Sequence, residues 1–315
     1  MVLQTFIVFL KKTIPTALSN YLIYLSFGND DYHREALYSL LSFYKFHAET
    51  DLVHIILYTD NPEFFKSVLP TSVEYRMIDN MQIELWKGKL NYIYRLKTKV
   101  LQEVCANYQG NFLFVDTDTV FLKNISELFT AIQNGELLLD ACEGKLIDNP
   151  GGIARKTRKF LKKESTFSIP SDTDAIHLSE QFVAWNSGTI GYNNSMAKTL
   201  QQVEELIDVL YTKSKLFVVE QIALSYYFQK LKTPKPSQES IHHYWDFKEF
   251  RPVLKAFFEY NKTKSLAELT KEIDKINPQY LAIPKRKYKK LSFFQKQRQK
   301  WATGKKWQFP NYNFD

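Results

Sequence analysis

Two aspartates one residue apart end an apolar run in residues 111–124. Phe112 to Val115 show no polar alternation, as a strand buried on both faces of a parallel sheet requires. If the backbone stays extended, Asp116 and Asp118 point to the same side, because side chains alternate along a strand. Ligands of open α/β sheets bind beyond the carboxyl ends of the strands. Hard carboxylate oxygens held there suit a divalent cation that also holds substrate phosphates. An Asp-Thr-Asp string is also an ordinary turn. The chain carries its own control, since Asp172-Thr173-Asp174 repeats the tripeptide after Ile169-Pro170-Ser171 with no strand before it, and reads as a loop.

The elements that must position these acids follow from periodicity. Tyr21 to Ser26 is an apolar strand running into Phe27-Gly28-Asn29-Asp30-Asp31, where Asn29 or Asp30 can cap a helix carrying Ala36, Leu37, Leu40, Leu41 and Tyr44. Val53 to Tyr58 is a second strand, ending at Thr59-Asp60-Asn61-Pro62, and Val73 to Ile78 is a weaker third. Ile93, Leu96, Val100, Leu101, Val104 and Tyr108 form a helical stripe leading into the aspartate strand. Repeated strand and helix predicts a doubly wound α/β sheet. Helix is expected over 125–132, extended chain over 137–141, and a long loop near the site over 144–180, with Gly151-Gly152 and a basic run from Arg155 to Lys163. A strand at 185–192 and helices over 196–210 and 218–230 follow. Residues 241–248 are short and aromatic, with His242 and His243, and the pattern after Phe250 is helical.

Composition bounds the rest. At 315 residues and 44% hydrophobic content the chain can build a sizeable core as one large domain or two small ones. It contains no Gly-x-Gly-x-x-Gly and no Gly-x4-Gly-Lys-Ser/Thr string, which excludes the usual Rossmann and P-loop phosphate cradles. Cys105 and Cys142 are too few for a disulfide framework or a cysteine zinc site and fit a reducing compartment. The apolar stretch Thr5 to Leu10 is too short to span a bilayer and lacks the basic start of a signal peptide.

In chain order, the first strand with its Gly-Asn-Asp turn, the Thr59-Asp60 strand end, the Arg95-containing helix, Asp116-Thr117-Asp118, Asn186-Ser187-Gly188, Glu220-Gln221 and His243 resemble the GT-A fold glycosyltransferases. These are nucleotide-diphospho-sugar transferases with an Asp-x-Asp motif, and the likeness covers roughly residues 20–250. The resemblance implies a Rossmann-like, mostly parallel central sheet with helices on both faces. It implies a catalytic domain over 1–250 and a helical C-terminal extension over 251–315. It further implies that Asp116, Asp118 and His243 hold Mn²⁺ or Mg²⁺ on the diphosphate of a UDP-sugar, and that Phe27, Gly28, Tyr32, Thr59, Asp60, Thr117 and Lys248 line the nucleotide. Arg95, Asn186, Ser187 and Gly188 would meet the sugar, with Glu220 and Gln221 beside the anomeric carbon. Two departures stand out. Asp246 replaces the family's glycine after the late histidine, and the spacing to Lys248 fits His242 better than His243, so either histidine remains open as the ligand.

Bland readings stand beside these. Arg95 is also a solvated helix charge, Glu220 also pairs with a helix dipole, and His243 also packs against Tyr244 and Trp245. The same strand and acid pair opens haloacid-dehalogenase-like phosphatases, where Asp116 would be the nucleophile, although those usually carry the strand first. A non-catalytic nucleotide-sugar-binding protein is the third reading. The expected acceptor is a glycan or lipid-linked hydroxyl in surface polysaccharide synthesis of the bacterial type.

The net charge of +8 is not evenly spread. Residues 285–315 hold ten of the 42 Lys/Arg and one of the 34 acids. Leu291, Phe293, Phe294, Trp301 and Trp307 are interleaved with them. No nucleic-acid fold is suggested. The mixture suits an anionic membrane surface over 285–307, which predicts a cytoplasmic protein attached peripherally to the inner membrane face; a solvated terminus is the alternative.

Overall fold

The computed structural model describes residues 18–47 and 52–303. The three N-terminal apolar runs become strands β1 (Ser19–Ser26), β2 (Val53–Thr59) and β3 (Glu74–Met77), with helices α1 (Asp30–Phe46) and α2 (Pro62–Lys66) between them. Asn29 caps α1, its Oδ1 accepting from the Asp31 N–H at 2.7 Å. Helices α3 (Asn80–Lys87) and α4 (Arg95–Asn107) lead to β4 (Gly110–Val115), whose six residues are all buried. Tyr24 pairs with Val115 and Ser26 with Thr59, so β1, β2 and β4 run parallel and finish at nearly the same level. The acids therefore leave a common edge.

Next come β5 (Thr119–Phe121), α5 (Ser126–Gln133), β6 (Leu138–Leu139) and β7 (Cys142–Lys145). Residues 144–180 are not the expected loop. They contain α6 (Gly152–Leu161) and a hairpin of β8 (Thr166–Ile169) with β9 (Asp172–His177), so Asp172-Thr173-Asp174 lies in a strand. Ala154, Thr157 and Leu161 bury one face of α6 beneath its basic face. Then follow β10 (Val183–Trp185), β11 (Thr189–Asn193), α7 (Ala197–Ser214), α8 (Val219–Leu231), β12 (Lys235–Pro236) and β13 (Ile241–His243).

The seven-stranded sheet has the order β3-β2-β1-β4-β11-β6-β12, mostly parallel, with β11 antiparallel to both neighbours. Alternate residues of β4 serve opposite layers. Phe112 and Phe114 pack in a cluster with Val100, Val104 and Leu200, whereas Leu113 and Val115 join Leu37, Leu40 and Phe129. Helices thus cover both faces, which is the α/β architecture expected.

After residue 250 there are only helices among the described residues: α9 (Phe250–Tyr260), α10 (Leu266–Glu272), α11 (Pro278–Leu281), α12 (Ile283–Lys290) and α13 (Phe293–Thr303). The extension is tied to α1. Tyr38 meets Phe250 edge-on at 5.2 Å, and Arg251 donates to the buried Glu35 at 2.9 Å. No helix among the described residues is long and apolar enough to cross a membrane. Thr5 to Leu10 and Trp307 lie outside the described residues.

Candidate active site

The acid pair is fixed by backbone before side chains enter. The Asp116 N–H donates to the Gly188 carbonyl at 2.8 Å, continuing the pairing of β4 with β11, and the Asp118 carbonyl accepts from the Tyr244 N–H at 2.9 Å. Strand β13 runs antiparallel to β5 with His243 opposite Thr119 and His242 opposite Val120. Alternation along β13 settles which histidine meets the acids. The His243 Nε2 lies 3.1 Å from Asp118 Oδ1 and 3.9 Å from Asp116 Oδ2, whereas His242 faces Arg286, 3.3 Å away.

Acceptors also surround the other ring nitrogen. His243 Nδ1 lies 3.0 Å from Asp140 Oδ2 and 3.1 Å from Asn186 Oδ1, so an N–H there donates to them and Nε2 is turned to the acids. One donor atom from each of Asp116, Asp118 and His243 falls within 4.8 Å of the other two. Two carboxylates and an imidazole whose far nitrogen is held by a carboxylate form the donor set and outer support that divalent metal sites use. The residues fit a divalent metal ion.

Cations converge on the same acids. Lys97 on α4 donates to Asp116 Oδ2 at 3.0 Å and to the Ser187 carbonyl at 3.1 Å, with Glu220 Oε1 at 3.7 Å on its other side. Lys248 donates to Asp118 Oδ2 at 2.6 Å. Burial alone would lower the His243 pKa, but the charge of Asp118 lifts it to about 10. Burial would raise Asp118, yet His243 and Lys248 hold it well below the usual carboxylate range. Burial raises Glu220, and Lys97 only partly offsets it.

The Asn186-Ser187-Gly188 segment, expected at the sugar, touches both the histidine and the buried acid. Asn186 Oδ1 accepts from the Gly188 N–H at 2.9 Å while also facing His243, and Ser187 Oγ donates to Glu220 Oε2 at 3.0 Å. At Gly188 the group that approaches the backbone is His243: a Cβ there would sit 2.0 Å from its Nδ1. Glu220 is buried behind Lys97. Gln221 Nε2 donates to Glu143 Oε2 at 3.1 Å, and Asn186 Nδ2 to Glu143 Oε1 at 3.2 Å.

The residues expected at the nucleotide gather at the ends of β1, β2 and β4. The Gly28 N–H donates to Asp60 Oδ2 at 2.9 Å from a left-handed backbone (φ 96°) that glycine adopts without strain. His33 Nε2 lies 3.3 Å from the same carboxylate. Thr59 Oγ1 accepts from the Asn61 N–H, Tyr32 lies under the Arg251 guanidinium at 4.7 Å, and Phe27 packs on the α4 side of the sheet. Thr117 is half-buried between the two acids.

Arg95 is placed elsewhere. Its guanidinium pairs with Glu204 and with Asp208 at 3.0 Å and donates to the Trp86 carbonyl at 2.8 Å, bracing α3 and α4 against α7. The α4 cation that reaches the acids is Lys97, two residues on and therefore on a different face of the helix. Lys97 stands four residues after Ile93 and three before Val100, inside the apolar stripe, where lysine is rare unless paired. Asp140, at the end of β6, and Glu143 were also not singled out from the sequence. Asp140 carried a readable signal, an acid closing an apolar strand, whereas Glu143 becomes relevant only through the pairing of β7 with β10.

No family model matches the chain, and no curated protein matches it. Among solved structures it is similar to the WbbM bifunctional glycosyltransferase, at 13% identity and TM-score 0.43 over 71% of this chain and 40% of that one. It is similar to mouse xyloside xylosyltransferase 1, at 12% identity and TM-score 0.44 over 70% and 84% of the two chains. It is also similar to the glycosyltransferase GlyE of Streptococcus pneumoniae TIGR4, at 13% identity and TM-score 0.47 over 81% and 63%. All three are glycosyltransferases, and the alignment spans less than half the length of WbbM.

Proposed function

We propose that the chain is a metal-dependent glycosyltransferase that moves a hexose from a UDP-sugar to a hydroxyl of a glycan or lipid-linked acceptor in surface polysaccharide synthesis. The observation that carries this is the meeting of Asp116, Asp118 and His243 at the carboxyl edge of a parallel sheet, with Lys97 and Lys248 beside them. A bound Mn²⁺ or Mg²⁺ would supply positive charge to the diphosphate oxygens. The chain's own part is to hold the acids, orient His243 through Asp140 and Asn186, and offer Lys97 and Lys248 to charge that develops on the leaving phosphate. Phe27, Gly28, Tyr32, Thr59, Asp60 and Thr117 bound the space for the nucleotide. Glu220 acts through Lys97, while Gln221, with Glu143 and Asn186, faces the sugar.

Incubation with UDP-sugars and Mn²⁺ should release UDP, and EDTA should stop it. Hydrolysis of aryl phosphates that is lost in Asp116→Asn, with no UDP-sugar consumed, would establish a phosphatase instead. Binding of a UDP-sugar without turnover would leave a binding protein.

The same proposal places the protein on the inner membrane face. On α13 Phe294 and Trp301 are 82% and 83% exposed, in a stretch of sequence that also carries Lys287, Lys290, Arg298 and Lys300, while Lys285 and Lys289 anchor α12 to Glu249 and Asp246. Each cation near anionic lipid contributes on the order of 1 kcal/mol. The protein should sediment with anionic liposomes and not with neutral ones, and Phe294→Ser with Trp301→Ser should abolish this. Sedimentation unchanged in that double variant would remove α13 as the anchor.

A further inference from the structure

Ahead of α4 and of α8 the chain exposes aromatic rings. Tyr94 precedes α4 and stands three residues before Lys97; Phe217 stands three residues before Glu220. They are 46% and 52% exposed, with ring centroids 6.4 Å apart and planes inclined at 40°. Ile93, next to Tyr94, is exposed as well.

One buried residue holds the pair in place. The Tyr92 ring lies 5.7 Å from that of Tyr94 and stacks on Tyr211 at 4.2 Å. Its hydroxyl donates to the Phe217 carbonyl at 2.5 Å and accepts from the Glu220 N–H at 3.3 Å. Tyr92 therefore ties both exposed rings to the start of α8, the element that carries Glu220. The contact of the Tyr92 hydroxyl with the Glu220 N–H sets the pair beside Glu220, whose Oε1 lies 3.7 Å from Lys97 Nζ.

Exposed apolar groups scattered singly need no explanation, but aromatic rings grouped and braced from below on a polar surface do. A pyranose has one face made of axial C–H groups and a girdle of hydroxyls. Such a face packs on an aromatic ring while the hydroxyls stay free for water, protein carboxylates or reaction, and aromatic rings offer this area at little entropic cost. We infer that Tyr94 and Phe217 form the platform on which the acceptor's terminal pyranose stacks. The inference rests on the transferase reading and adds the acceptor class and its place. In the transfer the acceptor oxygen bonds to the donor's anomeric carbon, and that carbon's bond to the diphosphate oxygen breaks with its electron pair going to the diphosphate. The hydroxyl proton leaves with the diphosphate.

The test uses the full chain with Mn²⁺, UDP-glucose or UDP-galactose as donor, and methyl β-glucopyranoside or methyl β-galactopyranoside as acceptor probe. The ratio of disaccharide to free sugar separates transfer from hydrolysis. Tyr94→Ala and Phe217→Ala should each lower this ratio about tenfold, and Tyr94→Phe and Phe217→Tyr should restore it. A structural role alone would reduce both products together and leave the ratio unchanged, which overturns the platform. Donor hydrolysis by the wild type without transfer to either glycoside also overturns it. If the rings instead contact a second copy of the chain, Phe217→Ala lowers the mass in sedimentation equilibrium without changing the ratio, and the platform is again rejected. Failure to consume any UDP-sugar breaks the transferase reading itself and this inference with it.

Discussion

Asp116-Thr117-Asp118 and Asp172-Thr173-Asp174 are one tripeptide in two settings. The first leaves a strand buried on both faces, at the edge where three parallel strands end, and meets His243, Lys97 and Lys248. The second lies in an antiparallel hairpin, where Asp172 accepts from Tyr227 at 3.1 Å and Lys230 at 2.8 Å while the Asp174 side chain is 78% exposed. Both sites pair acids with lysine. Only the first brings two carboxylates together with an imidazole, because only there does the second strand of a small sheet, β13, deliver a histidine opposite them. What separates the two is the direction and depth of the preceding strand.

The largest expected contrast is catalytic. Asp116→Asn and Asp118→Asn should each lower UDP release by about 10²–10³ or more, the scale of losing a group that stabilises developing charge. Asp172→Asn should leave it within about twofold, as for a change remote from the site. Similar losses at both tripeptides, measured on protein with an unchanged circular dichroism spectrum, would erase the distinction.

A smaller effect concerns the support of His243. Asp140→Asn keeps the shape but replaces the carboxylate facing Nδ1, and should raise the Mn²⁺ concentration for half-maximal activity by about 10–100-fold. His243→Ala should raise it at least as far, and His242→Ala should not. Gly188→Ala should behave like a weakened His243→Ala, since its new methyl would occupy the imidazole's position. An unaltered Mn²⁺ requirement in Gly188→Ala would mean that the ring can shift without consequence.

The sheet was legible because apolar runs, turn residues and helical stripes agreed over 19–133. The acid pair was legible for the same reason: an unbroken apolar strand before it fixed its depth. Residues 144–180 were misread because glycines and a basic run dominate their composition, although Ala154, Thr157 and Leu161, then Phe167, Ile169 and Ile176, carry the buried faces of a helix and a hairpin. Arg95 was expected at the sugar through the resemblance, but two residues of helix turn it well away from Lys97. The choice between His242 and His243 depended on the register of β13 against β5, a long-range pairing that local spacing does not encode.

The last contrast is one of stability. The hydrogen bond from Lys230 holds Asp172 below the ordinary carboxylate range, with burial opposing it. A carboxyl depressed by folding stabilises the protein above its unfolded value, about 3.9, and that contribution is lost as pH falls through the folded value below it. Lys230 is 38% exposed, so solvent screens the pair and its worth is about 1 kcal/mol or less. Asp172→Asn should therefore lower the melting temperature slightly at pH 7, and the gap from wild type should narrow as the pH is taken below 4. A gap that stays constant down to pH 2.5 would mean that Asp172 matters through its shape or its neutral hydrogen bonds, leaving its charge without a measurable role in the hairpin.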